Sequence, residues 1–274
     1  MTAHRWFDLA GKIALVTGGS SGIGRGIALA FAEAGATVAI AARRPELIES
    51  TTEELRLLGG PALGISADVR SSTDVVQLTS RVISAYGRID ILVNNAGGSY
   101  GDRFRRAPLV DLTEEDFEGC FEENVLSHFL VSKSVAPFMF EQGSGAIVNI
   151  SSWVGRENGP TATNMGFYPV SKAALTKLNA VMAAEWAPTI RVNAITPGFI
   201  ETPRVSAIMR AVDSDTMLNG IALGRFGQPD DVAAAAVYLA SDASSWITGI
   251  ALDVTGGVAA PGATPVRRDE LQTV

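Results

Sequence analysis

Seven short apolar runs set the terms on which this chain can fold: IALVT (13–17), TVAIAA (37–42), ALGIS (62–66), ILVNN (91–95), AIVNIS (146–151), RVNAIT (191–196) and IALDV (250–254). Largely continuous runs of this kind suit strands covered on both faces, as the strands of a parallel sheet are. Helical stretches lie between them, near 22–34, 45–58, 72–86, 114–142, 167–186 and 229–240. Thr113 ahead of Glu114, Glu115 and Asp116 reads as a helix start, and so does Pro229 followed by Asp230 and Asp231. Strand–helix alternation predicts a doubly wound α/β sheet with right-handed crossovers. No linker or internal repeat interrupts it, so one domain over 1–274 is expected. Residues 197–227, a long segment after the sixth strand, are expected to form a substrate loop or lid. The polar tail at 258–274 is expected to be loosely ordered or packed on a neighbouring subunit.

Composition narrows the function classes. Hydrophobic residues make up 47% and charged residues 19%, which suits a globular chain rather than a disordered one. A net charge of −7 argues against a general nucleic-acid binder. The lone cysteine, Cys120, rules out an internal disulfide and fits a reducing compartment. The start, MTAHRWFDLAGK, lacks the apolar core of a signal peptide. The longest apolar stretch, 27–42, is broken by Glu33 and Gly35, so no membrane span is expected and the location expected is the cytoplasm.

Ligands of an open parallel sheet bind at the carboxyl ends of its strands. The first strand ends in TGGSSGIG (17–24), with Gly18, Gly22 and Gly24 leading into a helix. Glycines there let backbone approach a pyrophosphate, while the helix N-terminus offers free N–H groups and a positive dipole end. The spacing differs from the common G-x-G-x-x-G, and a tight strand–helix turn needing no ligand would use the same residues.

Six motifs stand in order: TGGSSGIG, NNAG (94–97), Asn124, NISS (149–152), YPVSK (168–172) and PGFIET (197–202). In this order the chain resembles the short-chain dehydrogenase/reductases over roughly 8–257. The resemblance implies a Rossmann-type core, a nicotinamide cofactor, hydride transfer between carbonyl and alcohol, and a homotetramer. The cofactor contacts it implies are Gly18, Ser20, Ser21, Gly22, Ile23 and Gly24 at the first turn. Asp68 and Val69 match the adenine contacts; Asn95, Ala96 and Gly97 flank the cofactor after the fourth strand. Pro197, Gly198, Ile200 and Thr202 contact it after the sixth. The paired long helices 114–142 and 167–186, and the segment 229–254, would form the subunit contacts.

Tyr168 and Lys172 stand four residues apart and so share a helix face. A free phenol, with a pKa of about 10, is a weak base at neutral pH. A cation nearby in a partly dry site favours phenolate. The family roles follow: Tyr168 as proton donor and acceptor, Lys172 beside it and on the nicotinamide ribose, Ser152 on the substrate oxygen. Asn124 matches the asparagine that holds a proton-relay water. Without the other motifs, Tyr168 and Lys172 would read as cover for a helix face. The interval of 16 residues from Ser152 to Tyr168 exceeds the family's usual one, with the extra residues in 156–166 at the edge of the substrate site. Ser151 is the fallback for Ser152.

Cofactor choice turns on the end of the second strand. NAD enzymes tend to place an acid there for the ribose 2′-hydroxyl. Ala42 holds that position here, followed by Arg43 and Arg44, which favours NADP over NAD. Two solvated arginines opening a helix are the plainer alternative. Trp153, Val154, Met165, Phe199, Met209 and Met217 suggest an apolar ketone or alcohol, with Trp153 and Phe199 the substrate contacts, although core packing would use the same residues. Arg103, Arg105 and Arg106 are either a grip for an anionic handle or a solvated loop. His4 and His128 have no partner at metal-ligand spacing, so no metal is expected. Two other functions use similar sequences: a C=C (enoyl) reductase, whose members often lack the serine after the fifth strand, and a non-catalytic dinucleotide sensor. Retention of Ser152, Tyr168 and Lys172 favours carbonyl chemistry.

Overall fold

The computed structural model describes residues 6–156, 164–203, 205–206 and 218–258. Seven parallel strands form one sheet in the order β3-β2-β1-β4-β5-β6-β7. They are β1 (Ile13–Thr17), β2 (Thr37–Ala42), β3 (Ala62–Ser66), β4 (Ile91–Asn94), β5 (Gly145–Ile150), β6 (Ile190–Pro197) and β7 (Ala251–Val254). The α-helices whose full extent is described are α1 (Gly22–Glu33), α2 (Pro45–Leu57), α3 (Ser72–Tyr86), α4 (Glu114–Phe121), α5 (Ser127–Gln142), α6 (Tyr168–Trp186) and α7 (Pro229–Ala240).

Both sheet faces are covered, which is why the strands are apolar without alternation. Ala14 and Val16 of β1 join Ile27 and Phe31 of α1 and Val232 and Leu239 of α7 in one buried cluster. Leu15, between them in sequence, joins Leu78 of α3, Val135 of α5 and Met182 of α6 on the other face. Successive strand side chains point to opposite faces, so a doubly covered strand needs apolar residues throughout. Removing the Phe31 ring would cost about 3–5 kcal/mol. β7 departs from the expectation: it is an edge strand, with Ala251 and Asp253 exposed while Leu252 and Val254 are partly buried.

The expected helix starts hold. Thr113 Oγ1 accepts from the Asp116 N–H at 3.3 Å, and Asp116 Oδ2 accepts from the Thr113 N–H at 3.0 Å, a reciprocal cap. The expected single helix 114–142 is interrupted, however. A π-helical turn, Glu122–Leu126, separates α4 from α5. Such a turn carries an extra residue relative to an α-helix and reorients what it holds. Here it holds Glu123 and Asn124, both buried.

Chain order runs outward from β1 to β3 and then returns to β4 beside β1. Loops from β1 and β4 therefore diverge and leave a crevice at their carboxyl ends. The long segment after β6 is tied at its base: the Glu201 N–H donates to the Gly227 carbonyl at 2.8 Å, and the Gly227 N–H to that of Phe199 at 2.9 Å. Residues 259–274 of the tail lie outside the described residues, as do Met209 and Met217. No helix among the described residues is long and apolar enough to cross a membrane.

Candidate active site

An open cleft of about 1230 Å³ occupies the crevice. The TGGSSGIG turn forms one wall, with Gly18, Ser20, Ser21, Gly22 and Ile23 on the cleft. Gly18 has φ +65°, a left-handed value that glycine adopts freely. A Cβ on Gly24 would collide with the Gly18 carbonyl oxygen and the Asn95 amide, so Gly24 shapes the turn from behind without bordering the cleft. Thr17 fixes this wall to the next. Its Oγ1 accepts the N–H groups of Asn95 at 3.0 Å and Ala96 at 3.2 Å and donates to the Val93 carbonyl at 3.3 Å. Asn95 Nδ2 donates back to the Thr17 carbonyl at 3.0 Å. Asn95, Ala96 and Gly97 thus border the cleft opposite the glycine turn. Asn94 faces inward instead, donating to Ser132 Oγ at 2.8 Å and Asn149 Oδ1 at 3.0 Å.

The ends of β2 and β3 close the far side. Arg43, Arg44, Asp68 and Val69 all border the cleft. The Arg70 guanidinium grips Asp68, with Nη2 at 2.6 Å from Oδ2, and its hydrogen bonds hold that carboxyl below the usual carboxylate range, with Arg43 adding to the effect. Arg43 Nη1 donates to Asp102 Oδ2 at 3.0 Å. On the near side, Pro197, Gly198, Ile200 and Thr202 border the cleft after β6.

Tyr168, the first residue of α6, borders the same cleft together with Ser152 and Lys172. Lys172 is buried; its Nζ donates to the Ile150 carbonyl at 2.9 Å and lies 5.8 Å from the Tyr168 ring centre. Burial pulls the Lys172 ammonium down to about 8, against the opposing pull of Cys120 and Glu123. The two serines after β5 part company. Ser151 Oγ is spent on the Lys172 carbonyl at 3.0 Å and Thr176 Oγ1 at 2.9 Å. Ser152, extended at φ −164°, has no hydrogen bond from its hydroxyl among the described residues. Of these two serines, Ser152 therefore keeps its hydroxyl free on the cleft.

Other expected residues take different places. Asn124 does not border the cleft; its Oδ1 accepts the Gly98 N–H at 3.0 Å, and its Nδ2 donates to the carbonyls of Gly98 and Cys120, each at 3.0 Å. Trp153 and Phe199 pack together at 5.3 Å between ring centres, and neither borders the large cleft. Phe199 borders a smaller cavity of about 440 Å³ with Leu223, Arg225 and Thr255. The arginines after β4 are mostly committed: Arg103 pairs with Glu122 and Glu118, and Arg105 with Asp116. His128, given no role by the sequence, is fully buried and held neutral, its pKa pushed down to about 3 chiefly by burial; its Nε2 donates to the Ala96 carbonyl at 2.9 Å. Arg70, Asp102 and Glu123 also border the cleft without any sequence signal, because only the folded loops bring them there.

The family described as enoyl-(acyl carrier protein) reductase matches residues 18–259. A 3-oxoacyl-[acyl-carrier-protein] reductase of Thermotoga maritima is 40% identical over 251 residues, 91% of this chain and 98% of that protein. The chain belongs to the short-chain dehydrogenase/reductase family. A 7α-hydroxysteroid dehydrogenase of Escherichia coli is 38% identical over 250 residues, covering 91% of this chain and 94% of that protein. A solved 7α-hydroxysteroid dehydrogenase, complexed with NADH and 7-oxo glycochenodeoxycholic acid, superimposes with a TM-score of 0.87 at 38% identity, covering 94% of this chain and 98% of that one. This short-chain dehydrogenase/reductase is accordingly a nicotinamide-dependent oxidoreductase working between ketones and alcohols. The glycine turn fits that cofactor class, since Gly18 and Gly22, both with positive φ, border the cleft without side chains where α1 begins.

Proposed function

We propose that the chain is an NADP-preferring reductase of apolar ketones, or dehydrogenase of the matching secondary alcohols, with Tyr168, Lys172, Ser152 and Asn124 as its working groups. One observation carries this reading: a buried ammonium 5.8 Å from the Tyr168 ring, on a cleft where the Ser152 hydroxyl is unspent. The nicotinamide, when bound, supplies or accepts the hydride. Tyr168 gives the proton of its phenol to the carbonyl oxygen in reduction and takes it back in oxidation, a role worth about 10²–10⁴-fold. Ser152 Oγ donates a hydrogen bond to the same oxygen as charge develops there. Lys172 favours the phenolate by its charge and reaches the ribose beside the nicotinamide. Asn124 clamps Gly98, next to Gly97, where an added Cβ would stand 3.5 Å from Lys172 Nζ, and belongs to the path on which the proton returns from solvent.

Gly18, Ser20, Ser21, Gly22 and Ile23, with Gly24 shaping the turn from behind, would hold the pyrophosphate and adenosine ribose, and Asp68 and Val69 the adenine. Asn95, Ala96, Gly97, Pro197, Gly198, Ile200 and Thr202 would complete the contacts. The absence of an acid at Ala42, with Arg43 and Arg44 on the cleft, supports NADP. Phe199, on the smaller cavity and packed against Trp153, supports an apolar substrate wall beside the cleft. Exposed Phe129, Phe140 and Val181 on α5 and α6, with Trp246 fully exposed, support a homotetramer. The buried free thiol of Cys120 supports a cytoplasmic setting.

The matched family's description keeps C=C reduction as a second reading. NADPH oxidation should be measured with ketosteroids, 3-oxoacyl thioesters, aryl ketones, sugars and enoyl thioesters. Tyr168→Phe should keep fold and cofactor binding and lose at least about 10²-fold in turnover. Turnover of enoyl thioesters alone would reject the ketone reading. A Phe variant retaining more than a tenth of wild-type turnover would reject Tyr168 as the proton donor.

A further inference from the structure

The loop that follows β4 reaches across the cleft and places a carboxylate on the arginine that the proposed function reserves for the cofactor. Asp102 Oδ2 lies 3.0 Å from Arg43 Nη1, a pairing between residues 59 apart in sequence. The same oxygen lies 4.0 Å from Arg70 Nη2. Asp102 borders the cleft beside Arg43 and Arg70.

This placement is built into the loop. The Gly101 N–H donates to the Phe104 carbonyl at 3.1 Å, closing a tight turn around residue 102. Phe104 is buried and anchors the turn in the protein. A Cβ on Gly101 would stand 2.6 Å from the Phe104 ring and 3.0 Å from Glu123 Oε2, so the turn packs closely on both. Behind it, Arg70 Nη1 lies 3.6 Å from Glu123 Oε2 while Nη2 holds Asp68. Two guanidiniums, Arg43 and Arg70, therefore serve three carboxylates: Asp68, Asp102 and Glu123. The group carries one negative charge in excess before any phosphate arrives.

We infer that Asp102 is a specificity-determining residue: it holds the Arg43 guanidinium and so tempers the preference for a 2′-phosphorylated dinucleotide over an unphosphorylated one. The inference rests on the reading of Arg43 as the partner of a 2′-phosphate. A phosphate entering here must take Arg43 from Asp102 and then tolerate that carboxylate nearby. An adenosine 2′-hydroxyl carries no charge and meets neither obstacle. Since exposed ion pairs are individually weak, the effect is modest, about 2–5-fold in affinity.

The test uses calorimetric titration of the full chain with 2′,5′-ADP and with 5′-AMP. Asp102→Asn should tighten 2′,5′-ADP several-fold, leave 5′-AMP unchanged, and lose most of its effect when Arg43→Ala is also present. Asp102→Ser should behave alike, which guards against a local artefact of the amide, and unchanged melting curves would confirm an intact fold. Equal changes for both ligands, no change for 2′,5′-ADP, or an effect undiminished in the Arg43→Ala background would overturn the role of Asp102. If Arg43→Ala alone weakens 2′,5′-ADP while Asp102→Asn is silent, only Asp102 is misassigned. If Arg43→Ala leaves 2′,5′-ADP untouched, the phosphate reading of Arg43 falls with it.

Discussion

The Lys172 ammonium donates to the Ile150 carbonyl at 2.9 Å and stands 5.8 Å from the centre of the Tyr168 ring. The lysine is thus held from strand β5 while its charge faces the first residue of α6. Its burial is a cost in stability, because a charged amine loses its hydration there.

That cost should be visible as pH dependence. The folded pKa is pulled down to about 8 from the ordinary value of 10.5, so between these values the unfolded chain binds the extra proton. Stability attributable to Lys172 therefore rises with pH across that window, and the penalty is fully present below about 8. Its size is on the order of 3 kcal/mol, from about 1.4 kcal/mol for each pKa unit. Lys172→Met removes the titration. The stability of the variant relative to wild type, from urea unfolding, should be level below about pH 8 and fall between about pH 8 and pH 10.5, while its turnover is lost and cofactor binding weakens at every pH. A difference independent of pH would show that Lys172 is not buried as a cation.

Cofactor choice should answer to single side chains. A charge-assisted hydrogen bond is worth about 1.5–3 kcal/mol, so Arg43→Ala should weaken NADPH binding by roughly 10–150-fold and leave NADH nearly unchanged. Ala42→Asp adds an acceptor for the ribose hydroxyls and a charge that repels the phosphate, and should reverse the preference towards NADH. The ratio of kcat/KM for the two cofactors measures both. A wild type that prefers NADH would reject the reading of the β2 end.

Thr17 joins β1 to β4 through one hydroxyl with three partners. Thr17→Ala should destabilise the fold by about 2–3 kcal/mol, because a polar group left without its partner costs about 1–3 kcal/mol. Cofactor binding should weaken too, since the glycine turn and the Asn95 loop lose their common anchor. Thr17→Ser should restore most of both. Unfolding midpoints and cofactor titration on the three proteins decide this.

Assembly is open to a direct measurement. Trp246 is 99% exposed, and α5 and α6 present Phe129, Phe140 and Val181 to solvent. Light scattering at micromolar concentration should give four subunits, and Trp246→Glu should lower that number. A monomeric wild type would contradict the tetramer.

The sequence by itself determined the elements and the place of most motifs. Strands β1 to β6 are legible because cover on both faces demands apolar residues at every position, a local and repetitive signal. Thr113 and Pro229 marked helix starts for the same reason: capping is decided within one turn of the chain. Lys172 could be placed one helical turn from Tyr168 by counting alone. Tertiary structure decided the rest. The π-helical turn at Glu122–Leu126 follows no local pattern in the sequence, and it sets Asn124 against Gly98. Ser151 and Ser152 are chemically identical neighbours, separated only by which one meets α6. Burial of Lys172 and the reach of Asp102 to Arg43 depend on segments far apart along the chain. Hydration and Coulomb energy depend on distance in space, and a linear sequence records distance only along the backbone.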